Sequence, residues 1–340
     1  MKKFVFLLYV VLLFSSLSIH SEKLTEFEEP FEAVLLALDE DQIYIVDRGT
    51  NVIHIYSKKD FNHIGQFGRE GQGPTDFEYI GFMRIYPEYI YISGGRKVSY
   101  FTKNGEFIKT ATPFPNSGGY VPLGSNFVCK TYPGSNPKEE RVNIQVELLD
   151  SKFKKKKAFY LAKFRKFVKF NFQTGKRDVL LVRDCFKLDV YNDRLYVGDT
   201  DKGFFFIVFD SRGKKLYEIN LPYEKRKVTS KEKKQLIDKE RKAWGEQRFN
   251  QLKASQDYIF QDHYPAYSDF VVTDGKIYVF SYPNEDDPRE ILISDLKGNF
   301  LKKATIPKGR ISYYIYKDRY YYMIYNEETY RWELHVEMLD

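Results

Sequence analysis

The stretch Asp41-Gln42-Ile43-Tyr44-Ile45-Val46-Asp47 decides the fold, because it recurs. A polar turn followed by an apolar–Tyr–apolar run returns as Tyr89-Ile90-Tyr91-Ile92-Ser93, Arg194-Leu195-Tyr196-Val197-Gly198-Asp199 and Lys276-Ile277-Tyr278-Val279-Phe280-Ser281. Asn126-Phe127-Val128-Cys129 and Arg319-Tyr320-Tyr321-Tyr322-Met323 are weaker copies. Short runs of β-branched and aromatic residues behind a turn read as strands. A strand–turn–strand unit accompanies them, with its turns at Asn104-Gly105, Arg212-Gly213 and Lys297-Gly298. Glycine there supplies the positive φ that a tight hairpin needs.

Each repeat holds four short strands. In the second they are predicted near 80–85, 89–93, 98–102 and 107–111. Tyr44 and Tyr91 stand 47 residues apart, and Tyr278 and Tyr321 stand 43 apart. Four strands at a period of roughly 40–50 residues are the signature of a propeller blade. The predicted fold is all-β, a six-bladed β-propeller with four-stranded blades and an inserted helix. The last repeat has strands near 311–316, 320–325 and 332–339 but no fourth, while segment 22–28 has no partner of its own. Pairing the two would close the ring and remove two exposed edges.

The same stretches, with Val52-Ile53-His54-Ile55-Tyr56, resemble NHL-type repeats. The link Ile64-Gly65-Gln66-Phe67-Gly68-Arg69-Glu70-Gly71-Gln72-Gly73-Pro74-Thr75-Asp76-Phe77 is similar to the Gly-rich crossover of exported bacterial six-bladed propellers related to NHL proteins. Pro265-Ala266-Tyr267-Ser268-Asp269-Phe270 resembles a second segment of that family. The resemblance spans nearly the whole chain and implies a fold rather than a particular activity.

Composition agrees. Of 340 residues, 43% are hydrophobic and 30% charged, which excludes a disordered chain. The 28 Tyr and 29 Phe against four Met favour strands. The N-terminus reads as a secretory signal over 1–21: Lys2 and Lys3, an apolar run over 4–14, then a serine-rich stretch with cleavage after Ser21 or Ser18. That run falls short of the roughly 20 residues that span a bilayer. Residues 22–340 then form the propeller, with a helical insertion at about 229–257, secreted or periplasmic, and cleavage lowers the formal charge from +7 to +5. Export permits a disulfide between Cys129 and Cys185, but two buried thiols filling strand positions is the favoured reading.

Links between blades are long and the opposite turns brief, so a site is expected on the face that carries the links. The binding candidates are Arg48, Arg69, Arg96, Lys202, Trp244 and Arg289. Thr229 and Glu232 have capping-box spacing, and Leu236, Ile237, Ala243 and Trp244 recur near helical spacing, with Gly245 breaking the pattern. This helix is either a lid over the central channel or a brace on the ring.

Motifs for chemistry are mostly missing. The Gly68–Gly73 stretch lacks a phosphate loop's Gly-Lys-Ser/Thr ending. Asp199-Thr200-Asp201-Lys202-Gly203 lacks the third ligand and downstream Glu of a calcium loop. His54, His63, His263 and His335 have no zinc spacing. No catalytic residue, metal or cofactor is implied. The leading expectation is a non-catalytic binding or scaffold module. Its rival is a propeller lyase or lactone hydrolase with a metal in the central channel, held by Asp47, Asp199 and Asp201.

Residues 152–177 carry 11 Lys or Arg and no Asp or Glu, interleaved with aromatics. Lys154, Lys155, Lys156, Lys157, Lys163, Arg165, Lys166 and Lys169 form a candidate patch for an anionic surface. The expected partner is a protein, a glycan or an anionic surface on the extracytoplasmic side, with peripheral membrane contact and no nucleic acid.

Overall fold

The computed structural model describes residues 21–340 except 31, 95–96, 113–116, 135–138, 283–287, 307–311 and 340. The segment before Ser21, on which the expected export signal falls, and Arg96 therefore lie outside the described residues.

Six antiparallel sheets of four strands follow one another along the chain. The first holds Ala33–Leu38, Gln42–Asp47, Val52–Ser57 and His63–Phe67. The second holds Phe82–Ile85, Ile90–Gly94, Lys97–Phe101 and Phe107–Ala111, and the third Ser117–Leu123, Asn126–Thr131, Arg141–Leu149 and Lys155–Arg165. The fourth holds Phe186–Tyr191, Arg194–Asp199, Phe204–Phe209 and Lys215–Leu221, and the fifth Asp269–Thr273, Lys276–Phe280, Arg289–Asp295 and Phe300–Ile306. The sixth joins Tyr313–Tyr316, Arg319–Asn326 and Arg331–Met338 to the N-terminal Glu22–Phe27.

The core explains the apolar–Tyr–apolar runs. It is divided into clusters, each filling the space between two consecutive sheets. Side chains alternate across a strand, so Ile43 and Ile45 pack toward the sixth sheet while Tyr44 and Val46 pack toward the second. A strand covered on both faces must be apolar at every position. Tyr44, Tyr91, Tyr196, Tyr278 and Tyr322 are all fully buried on second strands. Their rings fill volume, and most of their hydroxyls find a polar partner: Tyr91 donates to the carbonyl of Tyr120 at 2.8 Å, and Tyr322 to Glu337 at 2.9 Å.

The N-terminal strand closes the arrangement. Glu22–Phe27 runs antiparallel to the last strand, with Glu22 opposite Val336 and Phe27 opposite Trp332. Lys23 meets Glu333 at 2.7 Å, and Arg331 meets Glu26 at 2.6 Å and Glu28 at 2.7 Å. Phe27 reaches past its own sheet to pack on Tyr56 of the first, with ring centroids 4.3 Å apart.

A seventh sheet is absent from the sequence expectation. Val168–Asn171, Lys176–Leu180 and Gln256–Ile259 form a three-stranded side sheet in which the last two run parallel. The insertion between the fourth and fifth sheets is two helices, α1 (Ser230–Trp244) and α2 (Glu246–Ser255). The capping box forms as its spacing predicts: the Thr229 hydroxyl accepts from the Glu232 N–H at 3.2 Å, and the Glu232 carboxylate accepts from the Thr229 N–H at 2.8 Å. Gly245, at φ +72°, separates the helices. α2 rests on the side sheet, where Phe249 stacks on Tyr258.

Closure makes one side chain answerable for two sheets. Phe27→Ala should cost about 3–5 kcal/mol, the range for a buried Phe truncated to Ala. The urea-unfolding midpoint of residues 22–340 measures it.

Candidate functional site

Every chain segment that leaves one four-stranded sheet for the next does so on one face, which also carries the ends of Asp47, Asp199 and Phe280. The Gly-rich link on this face is a structural turn. Asp76 accepts from Arg69 Nε at 2.8 Å and from the Gly73 N–H at 3.0 Å. A Cβ at Gly71 or Gly73 would sit 2.6 or 2.7 Å from the Asp76 carboxylate, so only glycine lets the loop wrap it. Phe77, from the same link, is buried between the first two sheets.

The innermost strands of all six sheets line a central cavity of about 300 Å³. An ion pair lies within it: Arg84 of the second sheet meets Asp189 of the fourth at 2.8 Å. The other Asp189 oxygen accepts from the Val272 N–H of the fifth sheet at 2.7 Å, so one carboxylate ties three sheets. At the link-face end, Lys187 meets Asp269 at 2.7 Å, and Tyr313 donates to the other Asp269 oxygen at 3.1 Å. No helical residue lines this cavity. Of the inserted helices, α2 packs on the side sheet and α1 places Leu236 against Val182, Val228 and Tyr264.

Two further concavities adjoin each other, the larger running from the link face down the seam between two sheets. A groove of about 880 Å³ lies between the fourth and fifth sheets, walled by apolar side chains including Phe204, Leu221, Val279, Leu292 and Phe300. A cleft of about 300 Å³ adjoins it, lined by Arg141, Arg165, Lys225, Asp184, Asp201 and Asp262, with His263 and Gln261. Tyr223, Tyr264 and Pro265 belong to both, so the two share a wall. Arg226 lies 3.7 Å over the Tyr264 ring and pairs with Glu232, tying that wall to the start of α1. In the cleft Arg141 pairs with Asp201. Burial, with the nearby Asp201 charge, raises the Asp184 carboxyl above the ordinary range.

The remaining sequence candidates are dispersed. Arg48 pairs with Glu32 at 3.4 Å, and Arg69 holds Asp76. Lys202 lies 4.8 Å over the rings of Tyr160 and Phe205. Arg289 donates to Ser268 at 2.6 Å, and Trp244 is exposed on α1, donating to Glu240. None of these five lines the groove or the cleft. Of the basic patch, Arg165 alone does so. Lys155 pairs with Glu147 at 2.6 Å, Lys156 donates to Asn126 and Lys157 to the carbonyl of Gly213, both at 3.2 Å, while Lys169 meets Glu140 at 3.2 Å. Lys154 and Lys163 are exposed and Lys166 is half-buried.

The carboxylates of the metal-enzyme reading are engaged separately. Asp47 accepts from the N–H groups of Glu32 and Gly49, Asp199 from Tyr160 at 2.6 Å, and Asp201 from Arg141. Among the described residues no cluster of three or more His, Cys, Asp or Glu side chains could hold a metal. Cys129 and Cys185 are free thiols, both pushed up to about 12 by burial.

No family model matches the chain, and no curated protein sequence matches it. Among solved structures it is similar to a Bacteroides fragilis protein described as exported, at 12% identity and a TM-score of 0.57, over 95% of each chain. The chain is a β-propeller. The β-propeller domain of Myceliophteria thermophila Cps50 (Swd1) gives 10% identity and a TM-score of 0.42, over 93% of this chain and 99% of that one. The WD40 domain of Neurospora crassa Pan2 gives 10% and 0.41, over 93% and 95%. At these identities the likeness concerns the fold alone.

Two measurements test the electrostatics of the propeller. Arg84→Met should destabilise by about 3–5 kcal/mol, because it leaves a buried carboxylate without its cation. Pairing it with Asp189→Asn should recover part of that loss in denaturant titrations. Asp184 holds its proton more tightly folded than unfolded, so stability falls as pH rises through its folded pKa. Asp184→Asn should therefore unfold at higher urea than the parent at pH 7.5. That gain should vanish toward about pH 4, the ordinary Asp value.

Proposed function

We propose that the chain is an exported, non-catalytic binding propeller that takes an extended polypeptide segment on its link face. The observation that carries this reading is the shared wall of Tyr223, Tyr264 and Pro265 between an apolar groove and a charged cleft. A groove of about 880 Å³ suits two or three apolar side chains. The adjoining cleft offers Arg141, Arg165 and Lys225 against Asp184, Asp201 and Asp262. Charges of both signs beside an apolar trough match a peptide better than a simple anion. A protein ligand spread over the same face would also meet Arg48, Arg69, Lys202 and Arg289.

On this reading the six four-stranded sheets are the six blades of one ring over residues 22–340, NHL-like in type. The side sheet is an appendage of that ring. The supporting fact is that six core clusters each join consecutive sheets, one of them joining the sixth back to the first. The segment 1–21 is then the export signal, cleaved after Ser21 or Ser18. Among the described residues no helix is long and apolar enough to cross a membrane.

A peptide array screened with residues 22–340 tests the proposal. Peptides that combine two or more apolar residues with a flanking charge should be retained. Isothermal titration of the best peptide should weaken at least about tenfold, 1.4 kcal/mol, in Tyr223→Ala or Lys225→Glu. Retention that is indifferent to both substitutions would place the site elsewhere.

A further inference from the structure

The hairpin of Val168–Asn171 and Lys176–Leu180 leaves apolar side chains bare at its outer edge. Val168 and Phe170, on one face of its outer strand, are 39% and 46% exposed. Lys169 and Asn171, on the other face, pair with Glu140 and Asp178. Phe167 and Phe172 flank the strand and are 42% and 67% exposed, and the Phe170 and Phe172 rings meet edge-on with centroids 5.0 Å apart. Arg177 stands opposite Phe170 in register and is exposed, as are Lys163 and Arg165 on the adjoining strand. α2 covers the same face of the side sheet over Tyr258 but leaves this edge bare.

We propose that this hairpin docks the propeller onto an anionic lipid bilayer, with Phe170 and Phe172 entering the headgroup region and Lys163 and Arg177 meeting lipid phosphates. Aromatic rings ringed by cations are the combination that interfacial binding requires. A second protein is a poorer occupant. The exposed parts of the three Phe and the Val amount to roughly 300–400 Å², whereas a stable interface needs about 800 Å² per partner. The basic turn at the far end of the Lys155–Arg165 strand is not the docking element. Lys155, Lys156 and Lys157 are already held by Glu147, Asn126 and Gly213, and an 11-residue strand puts them roughly 30 Å away.

Co-sedimentation of residues 22–340 with 3:1 phosphatidylcholine–phosphatidylglycerol vesicles tests the assignment, with pure phosphatidylcholine as control. The parent should pellet with anionic vesicles at 0.1 M NaCl. It should be released at 1 M, where the Debye length falls from about 10 Å to about 3 Å. The F170S/F172S variant should lose about tenfold in partition coefficient, K163S/R177S a similar factor, and K154S/K155S/K156S/K157S less than about twofold. The substituted side chains are exposed, and circular dichroism shows each variant folded before it is compared. The proposal is overturned if the parent ignores anionic vesicles, if F170S/F172S binds like the parent, or if the quadruple lysine variant loses as much as the hairpin variants. It is equally overturned if size-exclusion with light scattering finds a dimer that F170S/F172S dissociates, which would make the hairpin a self-interface.

Discussion

A ring of sheets must finish where it began, and here the last space is filled from both ends of the chain. The sixth sheet draws three strands from the C-terminus and one from residues 22–27. Each sheet buries both faces against neighbours, so a missing outer strand would expose a hydrogen-bonding edge and loosen the packing beside it. The ion pairs of Lys23 and Arg331 set the register of that seam, while Phe27 and Leu334 supply its apolar interior. Everything built on the link face inherits its rigidity from this closure.

The repeat was legible because burial on both faces leaves a mark that solvent-facing sheets lack. Ile43 to Val46 and Ile277 to Phe280 are unbroken apolar runs since neither side of the strand sees water. The N-terminal strand was legible as an unpaired remainder. The side sheet was not, because its parallel pairing joins Arg177 to Gln256 without any local signal. The basic run around it reads as a solvated surface, and nothing in the order of residues indicates that Val168 and Phe170 stay exposed while Lys169 pairs with Glu140.

The residues of the candidate site were not legible in the sequence. Long links direct attention to the face that carries them, and the charged cleft opens there. The cleft, however, gathers Arg141 and Arg165 from the third sheet, Asp201 from the fourth, and Lys225 and His263 from the insertion. These come together only once consecutive sheets have stacked. Arg84 and Asp189 are the same case, 105 positions apart and joined across the axis. Isolated charges in strands look like solvated ones until the partner sheet is in place.

The parallel pair in the side sheet imposes an order of assembly. Between Leu180 and Gln256 lie the whole fourth sheet and both helices. A crossover normally brings one helix between parallel neighbours; here it brings a complete sheet. The strand Gln256–Ile259 cannot find Lys176–Leu180 until that intervening chain has compacted, since closing so long a loop costs entropy that only finished contacts repay. As the chain emerges, the side sheet is therefore a late structure laid over an earlier one. By the same logic it can come away first, as a separately opening unit, and leave the ring intact.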